Sequence, residues 1–208
     1  MAAIDRFNLN IERAKEQAAK KNDEAVRFGC VLAVAAMDDY FTQKFVDMLV
    51  NFIKQKGLSK DLEAIFDEAK FTLNDAFELI KQMQAKKGSW PWRKVRTRID
   101  AHISRRTTQK FDIINELFAA YGHPKLIENA SKMMGKHKIL AGTGLKKPYK
   151  YRVAELVKRR HEIVHFGDLN DNNKLPELPK QQHKNRKWFQ NRIMAVEKLV
   201  ECCEEILN

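Results

Sequence analysis

Apolar residues recur every three or four positions along most of this chain, the spacing of an amphipathic α-helix. Ile4, Phe7, Ile11, Ala14 and Ala18 form a first such stripe. Asn22-Asp23 supplies caps for a long second helix carrying Val26, Val31, Leu32, Ala35, Phe41, Phe45, Leu49 and Phe52, and Gly57 suits its end. Ser59 reads as the N-cap of a short helix, and Thr72-x-x-Asp75 as the capping box of the next. Lys86 to Trp92 reads as a loop because Gly88 and Pro91 interrupt the period. Helical spacing returns through Ile99 and Ile103, and again from Phe111 to Tyr121 with Gly122 as its stop. Pro124 fits the first position of a further helix that Gly135 closes. Residues 136–148, with Gly142, Gly144 and Pro148, predict a loop.

The pattern then gives a helix over 149–167, a polar loop over 168–181 with two prolines, and a long C-terminal helix over 182–207. Trp188, Phe189, Ile193, Val196, Leu199, Val200, Cys203 and Leu207 are the apolar stripe of that last helix, a dimer face or, as the better default, core. No internal repeat and no alternating strand run emerges. The expectation is one all-α domain over 1–208, an up-and-down helical bundle with additional helices.

Composition narrows the class. Eight glycines and five prolines in 208 residues are few for a turn-rich β fold. The longest apolar run, Cys30 to Met37, is too short to span a bilayer, and the first residues lack the apolar stretch of a signal peptide. Three cysteines make no disulfide framework, so a cytoplasmic protein is expected. The net charge of +12 is unevenly placed. Residues 1–80 are net −3, whereas residues 81–160 hold 21 Lys and Arg against 5 Asp and Glu. A field concentrated in this way attracts polyanions, RNA among them. Arg93, Lys94, Arg96, Arg98, Arg105 and Arg106 are candidate phosphate contacts, and Trp90-Pro91-Trp92 beside them offers bases an aromatic surface or merely anchors a loop. Gly142-Thr143-Gly144 lacks the spacing of a phosphate-cradling loop. His102, His137 and His183 read as exposed residues of basic stretches, and His123 as a turn residue.

The helix over 149–167 carries the chemistry. With Arg160 at zero and about 100° per residue, Val153, Leu156, Val157, Ile163 and Val164 all fall within about 60° of it. Arg160 therefore sits in the middle of the apolar stripe, while Glu155, Lys158 and Glu162 lie opposite. His161 and His165 flank the stripe one turn apart. A guanidinium aimed into an apolar seam is costly unless it is paired or opens onto a polar cleft. Asp38 and Asp39 are the candidate internal partners. The alternative is an anion site with two imidazoles on its wall.

Arg160-His161-x-x-x-His165, ending Ile-Val-His, resembles the Arg-x4-His signature of the HEPN superfamily of small helical ribonucleases and RNA-binding domains, in particular the RiboL-PSP-HEPN branch. The motif covers under a tenth of the chain. The resemblance implies a helical bundle that forms a homodimer, with two motifs at a shared cleft, and metal-independent RNA cleavage without a cofactor. It implies that Arg160 and His165 are the catalytic pair, with His161 at the polar position after the arginine. A toxin or antiviral defence context, with a regulatory or antitoxin partner, is expected on the same ground. Some family toxins carry a tyrosine two residues after the histidine that is modified; here that position is Gly167, so this control is not carried over.

The chemistry agrees with the resemblance. Metal-free cleavage of RNA needs a base for the 2′-OH proton, an acid for the leaving 5′-oxygen, and a cation for the extra charge on phosphorus. Histidine titrates near neutrality and serves either proton role. Arginine stays charged and grips two phosphate oxygens at once. Arg159 and Lys158 would help to hold phosphates.

The same letters spell His161-Glu162-x-x-His165, a zinc metallopeptidase pattern. Its context is unfavourable: Lys158-Arg159-Arg160 precede it, and the extended form fails because Asp168 stands where a glycine is needed. Glu197 or Glu201 would have to serve as the third ligand. A module that binds RNA without cutting it is a third reading.

Overall fold

A computed structural model of the chain describes residues 2–72, 75, 90–106, 108–136, 149–166 and 182–208; for 50, 90–92, 135, 136, 149, 165, 166 and 182–185 it describes the backbone alone. The described residues form eight helices and no strand, so the all-α expectation holds. In chain order they are α1 (Ala3–Ala19), α2 (Asp23–Lys56), α3 (Lys60–Glu68), α4 (Trp90–Ile103), α5 (Phe111–Ala119), α6 (Leu126–Lys136), α7 (Tyr149–Phe166) and α8 (Gln182–Leu207). No helix among the described residues is long and apolar enough to cross a membrane.

Contacts divide the chain into two compact units. The first comprises Ala3–Tyr40 and Leu126–Asn208, and the second Phe41–Lys125. α2 contributes its first half to one unit and its second half to the other.

In the first unit α8 packs against α1, α6 and α7. Of the stripe read from α1, Phe7, Ala14 and Ala18 are fully inaccessible and Ile11 nearly so, while Ile4 is only partly buried. On α8, Phe189, Ile193, Val196, Leu199, Val200 and Cys203 are buried. Phe7 meets Tyr40 edge to face at 5.7 Å, and the Tyr40 hydroxyl donates to Glu204 at 2.6 Å. Burial and that acceptor push the Tyr40 hydroxyl far above its usual range, so it stays a donor. Gly29 lets α2 lie close to α1, because a Cβ there would stand 2.8 Å from the Ala14 carbonyl oxygen and 3.0 Å from the Ala18 nitrogen. Both obstacles are backbone and cannot swing aside. Gly29→Ala is therefore expected to lower the thermal midpoint. The overpacking costs about 1–3 kcal/mol, against the roughly 1 kcal/mol by which alanine favours a helix. A melt equal to or above the parent's would show that the helices separate freely.

The second unit is built on an aromatic cluster. Phe118 of α5 lies 6.0 Å from both Phe41 and Phe45, and Tyr121 stacks obliquely on Phe45 at 4.8 Å while its hydroxyl donates to the Phe45 carbonyl at 2.8 Å. Leu62 and Ile65 of α3, with Val95, Ile99 and Ile103 of α4, are also buried in this unit.

The helix ends follow local hydrogen-bond chemistry. Asn22 Oδ1 accepts from the Glu24 amide at 2.8 Å, and Ser59 Oγ from the Leu62 amide at 3.3 Å. Thr72 and Asp75 form the reciprocal box, Asp75 Oδ2 accepting from the Thr72 amide and Thr72 Oγ1 from the Asp75 amide. Gly57 (φ 75°) and Gly122 (φ 89°) take the left-handed conformation that ends α2 and α5. After Gly122, the His123 amide donates back to the Phe118 carbonyl at 2.9 Å, the long bond of a Schellman motif.

Three boundaries differ from expectation. Residues 90–92 lie in α4 and not in a loop, because a proline in the first helical turn loses no hydrogen bond. Pro124 lies in the turn before α6, since the Schellman motif at Gly122 leaves Pro124-Lys125 outside the helix. Gly135 sits within α6. Of the loop expected over 136–148, Lys136 is helical and the rest, His137 included, lies outside the described residues, as do the loop expected over 168–181 and the side chain of His183.

His123 carries a pH effect. Burial first, and then the Lys56 cation, depress its pKa below the usual 6.5. The unfolded chain then binds the proton more readily, so stability is present above pH 6.5 and falls as pH drops through 6.5 toward the folded value. His123→Gln is expected to flatten thermal midpoint against pH between about 7 and 5; an unchanged slope would contradict this.

Candidate functional site

α7 carries the arginine-histidine motif, and its first turns are firmly docked within the first unit. Val153 and Leu156 are inaccessible and Arg152 nearly so. Cys30 donates its thiol hydrogen to the Leu156 carbonyl at 3.7 Å. Arg192 of α8 donates to Glu155 through Nε at 3.0 Å and through Nη2, donates from Nη1 to the Trp188 carbonyl at 3.2 Å, and lies over the Trp188 ring at 3.6 Å. Lys150 pairs with Glu128 of α6 at 3.5 Å. Burial depresses the Arg192 pKa, opposed by Glu155. This engaged cation fastens α7 to α8 and is a residue the sequence reading missed. Its only sequence signal is a basic side chain beside the apolar stripe of α8.

Beyond Leu156 the helix is less covered. Lys158 is exposed, and Arg159 is partly buried and paired with Glu162 at 3.0 Å. Arg160 is partly buried as the wheel predicts, and its Nε is shielded from solvent with no hydrogen-bond partner. Among the described residues no ion pair joins it to Asp38 or Asp39; Asp39 is held by Arg6 at 2.7 Å. His161 is exposed. The side chain of His165 lies outside the described residues. Val164, expected in the buried stripe, is 47% exposed. A wheel assigns a side chain to a face, but burial also requires a neighbour at that height along the axis. The last turns of α7 therefore combine an inward cation, an exposed imidazole and an exposed lysine.

The other predicted phosphate contacts belong to the second unit. Arg93, Lys94 and Arg105 are exposed. Arg96 pairs with Asp47, and Arg106 with Glu116 at 2.7 Å and Glu68 at 3.7 Å. Arg98 donates to the Lys70 carbonyl at 2.9 Å and lies 3.8 Å from Asp75. Arg96, Arg98 and Arg106 thus have protein acceptors already. His102 also faces Glu68, at 3.3 Å.

Among the described residues no group of three or more His, Cys, Asp or Glu stands ready to hold a metal ion, a description that does not include the His165 side chain. Cys30, Cys202 and Cys203 are buried and free of disulfides. Burial raises the pKa values of Cys202 and Cys203, so both stay thiols and poor nucleophiles. No family model, no curated protein and no solved structure matches this chain.

Proposed function

We propose that the protein is a metal-independent endoribonuclease of the HEPN kind, using the C-terminal turns of α7. The carrying observation is Arg160, whose Nε is withdrawn from water without an acceptor, in the half-helix that also bears His161. A buried guanidinium nitrogen lacking a protein partner suits an anionic ligand. The resemblance of 160–165 to the Arg-x4-His signature supplies the reaction class.

In this reading the 2′-oxygen attacks the adjacent phosphorus while a base takes its proton. The 5′-oxygen leaves as an acid protonates it, giving a 2′,3′-cyclic phosphate and a 5′-OH. His165 moves a proton, Arg160 neutralises charge on the pentacoordinate phosphorus, and His161 orients the phosphate or fills the second proton role. Lys158 holds a flanking phosphate; Arg159 does so by exchanging Glu162 for it. A homodimer would bring two such helices to one cleft, and a toxin or defence role in the cytoplasm follows from the resemblance. Binding without cleavage is the second reading, favoured by the exposed Arg93, Lys94 and Arg105 of the second unit.

The test is incubation of purified protein with single-stranded RNA, with and without chelator, beside His165→Ala. Chelator-resistant cleavage that His165→Ala abolishes supports the reading. Cleavage only with added divalent metal, or a His165→Ala rate equal to the parent's, overturns it. Intact RNA bound by the parent favours the second reading.

A further inference from the structure

A cavity of about 650 Å³ opens in the second unit between the residues after α3 and the outer face of α4. Its walls include Phe71 and Asp75 on one side and Arg93, Lys94, Thr97 and Arg98 on the other. We infer that this cavity binds one nucleotide, its base against the Phe71 ring and its phosphate on Arg93 and Lys94.

α3 ends in a Schellman motif, the Lys70 amide donating to the Asp67 carbonyl at 2.9 Å and the Phe71 amide to the Phe66 carbonyl at 3.4 Å. Lys70 occupies the left-handed position at φ 54°. That motif favours an apolar contact between its last residue and the helix, and Phe71 provides it by resting on Phe66 at 4.9 Å. The contact fixes one side of the Phe71 ring and leaves the residue lining the cavity. Arg98 braces the same corner. Its guanidinium lies 6.0 Å from the Phe71 ring centre, donates to the Lys70 carbonyl, and faces Asp75. The Thr72 amide and hydroxyl bind the Asp75 carboxylate, and Arg98 and Lys94 add attraction, so Asp75 stays ionised and Arg98 stays in place. Arg98 is therefore part of the frame.

Arg93 and Lys94 lie one turn earlier on α4, beside Thr97 and Arg98 in the cavity wall, and both are exposed. Among the described residues the lining holds three cations and one carboxylate beside the Phe71 ring. That combination matches the two chemistries of a nucleotide. Aromatic rings stack on any base, and clustered Arg and Lys attract its phosphate. The size suits a nucleotide, since pockets of about 300–1,000 Å³ take ligands of that bulk. The ligand is a free nucleotide or one residue of a single-stranded RNA; the latter rests on the ribonuclease reading and makes the cavity an anchor for substrate outside α7.

The experiment measures binding of a fluorescein-labelled single-stranded RNA of about ten nucleotides to the full chain in chelator, with RNA integrity checked on a gel. Phe71→Leu keeps the apolar contact with Phe66, and Arg93→Gln changes an exposed side chain, so both should fold. Each is expected to weaken binding about fivefold or more, the loss of one stacked base or one phosphate contact. Arg93→Gln should also reduce the slope of log affinity against log salt by about 0.7. Adenosine monophosphate that displaces the label from the parent identifies the free nucleotide as a ligand; displacement only by unlabelled RNA identifies the chain. Parent-like binding and salt slope in both variants overturn the site. A parent that never cuts RNA, yet binds it through Phe71 and Arg93, sinks the ribonuclease reading and leaves this site standing.

Discussion

Arg160→Ala is expected to slow RNA cleavage by about a thousandfold, the scale of removing one preorganised charge at a developing oxyanion or phosphorane. The same substitution should leave the fold almost unchanged. Arg160 has no carboxylate partner among the described residues, so its removal strands no buried acid. A single-turnover rate in chelator, measured beside a thermal melt, separates the two consequences. Arg160→Lys should recover only part of the rate, because an ammonium keeps the charge but loses the planar fork that grips two phosphate oxygens. An undiminished rate in Arg160→Ala would remove the arginine from the chemistry. A melt lowered as far as for a core truncation would make it a structural residue.

The second large effect lies in the core of the second unit. Phe118→Ala is expected to destabilise by about 3–5 kcal/mol, the usual range for emptying a buried aromatic site. Phe118 is fully inaccessible and touches Phe41, Phe45 and Tyr121, so the void loses three aromatic contacts at once. The loss is comparable to much of the net stability of a small domain. Chemical denaturation followed by near-ultraviolet circular dichroism checks it, since aromatic packing gives that signal. A change below about 1 kcal/mol would mean that the cluster closes over the void. Because Val95 and Ile99 of α4 are buried in the same unit, Phe118→Ala should also weaken whatever Arg93 and Lys94 bind.

Features set by neighbouring residues in the chain were the most legible ones. Asn22, Gly57, Ser59 and the Thr72–Asp75 box all act where the sequence places them, because capping is chemistry within a few residues. Lys70 was not legible as a helix end, since a lysine at φ 54° lacks the glycine that announces this position. The start of α4 was obscured by Pro91, which reads as a breaker although an N-terminal turn accepts it. Periodicity placed Arg160 on the inward side of α7 but misjudged Val164, whose exposure depends on how far along the axis neighbouring helices reach. The bond from Arg192 to Glu155 joins residues 37 positions apart and leaves no local trace, although Trp188, which Arg192 also meets, lies only four positions away. The chemistry of the site was legible only through the letters of 160–165 and the resemblance they carry.

The most direct test of the central claim is end-group analysis of RNA cut in chelator. The account predicts fragments with 2′,3′-cyclic phosphate and 5′-OH ends from the parent, and the same ends forming about a thousandfold more slowly from Arg160→Ala. Fragments with 3′-OH and 5′-phosphate ends, or identical products at identical rates from both proteins, would contradict it.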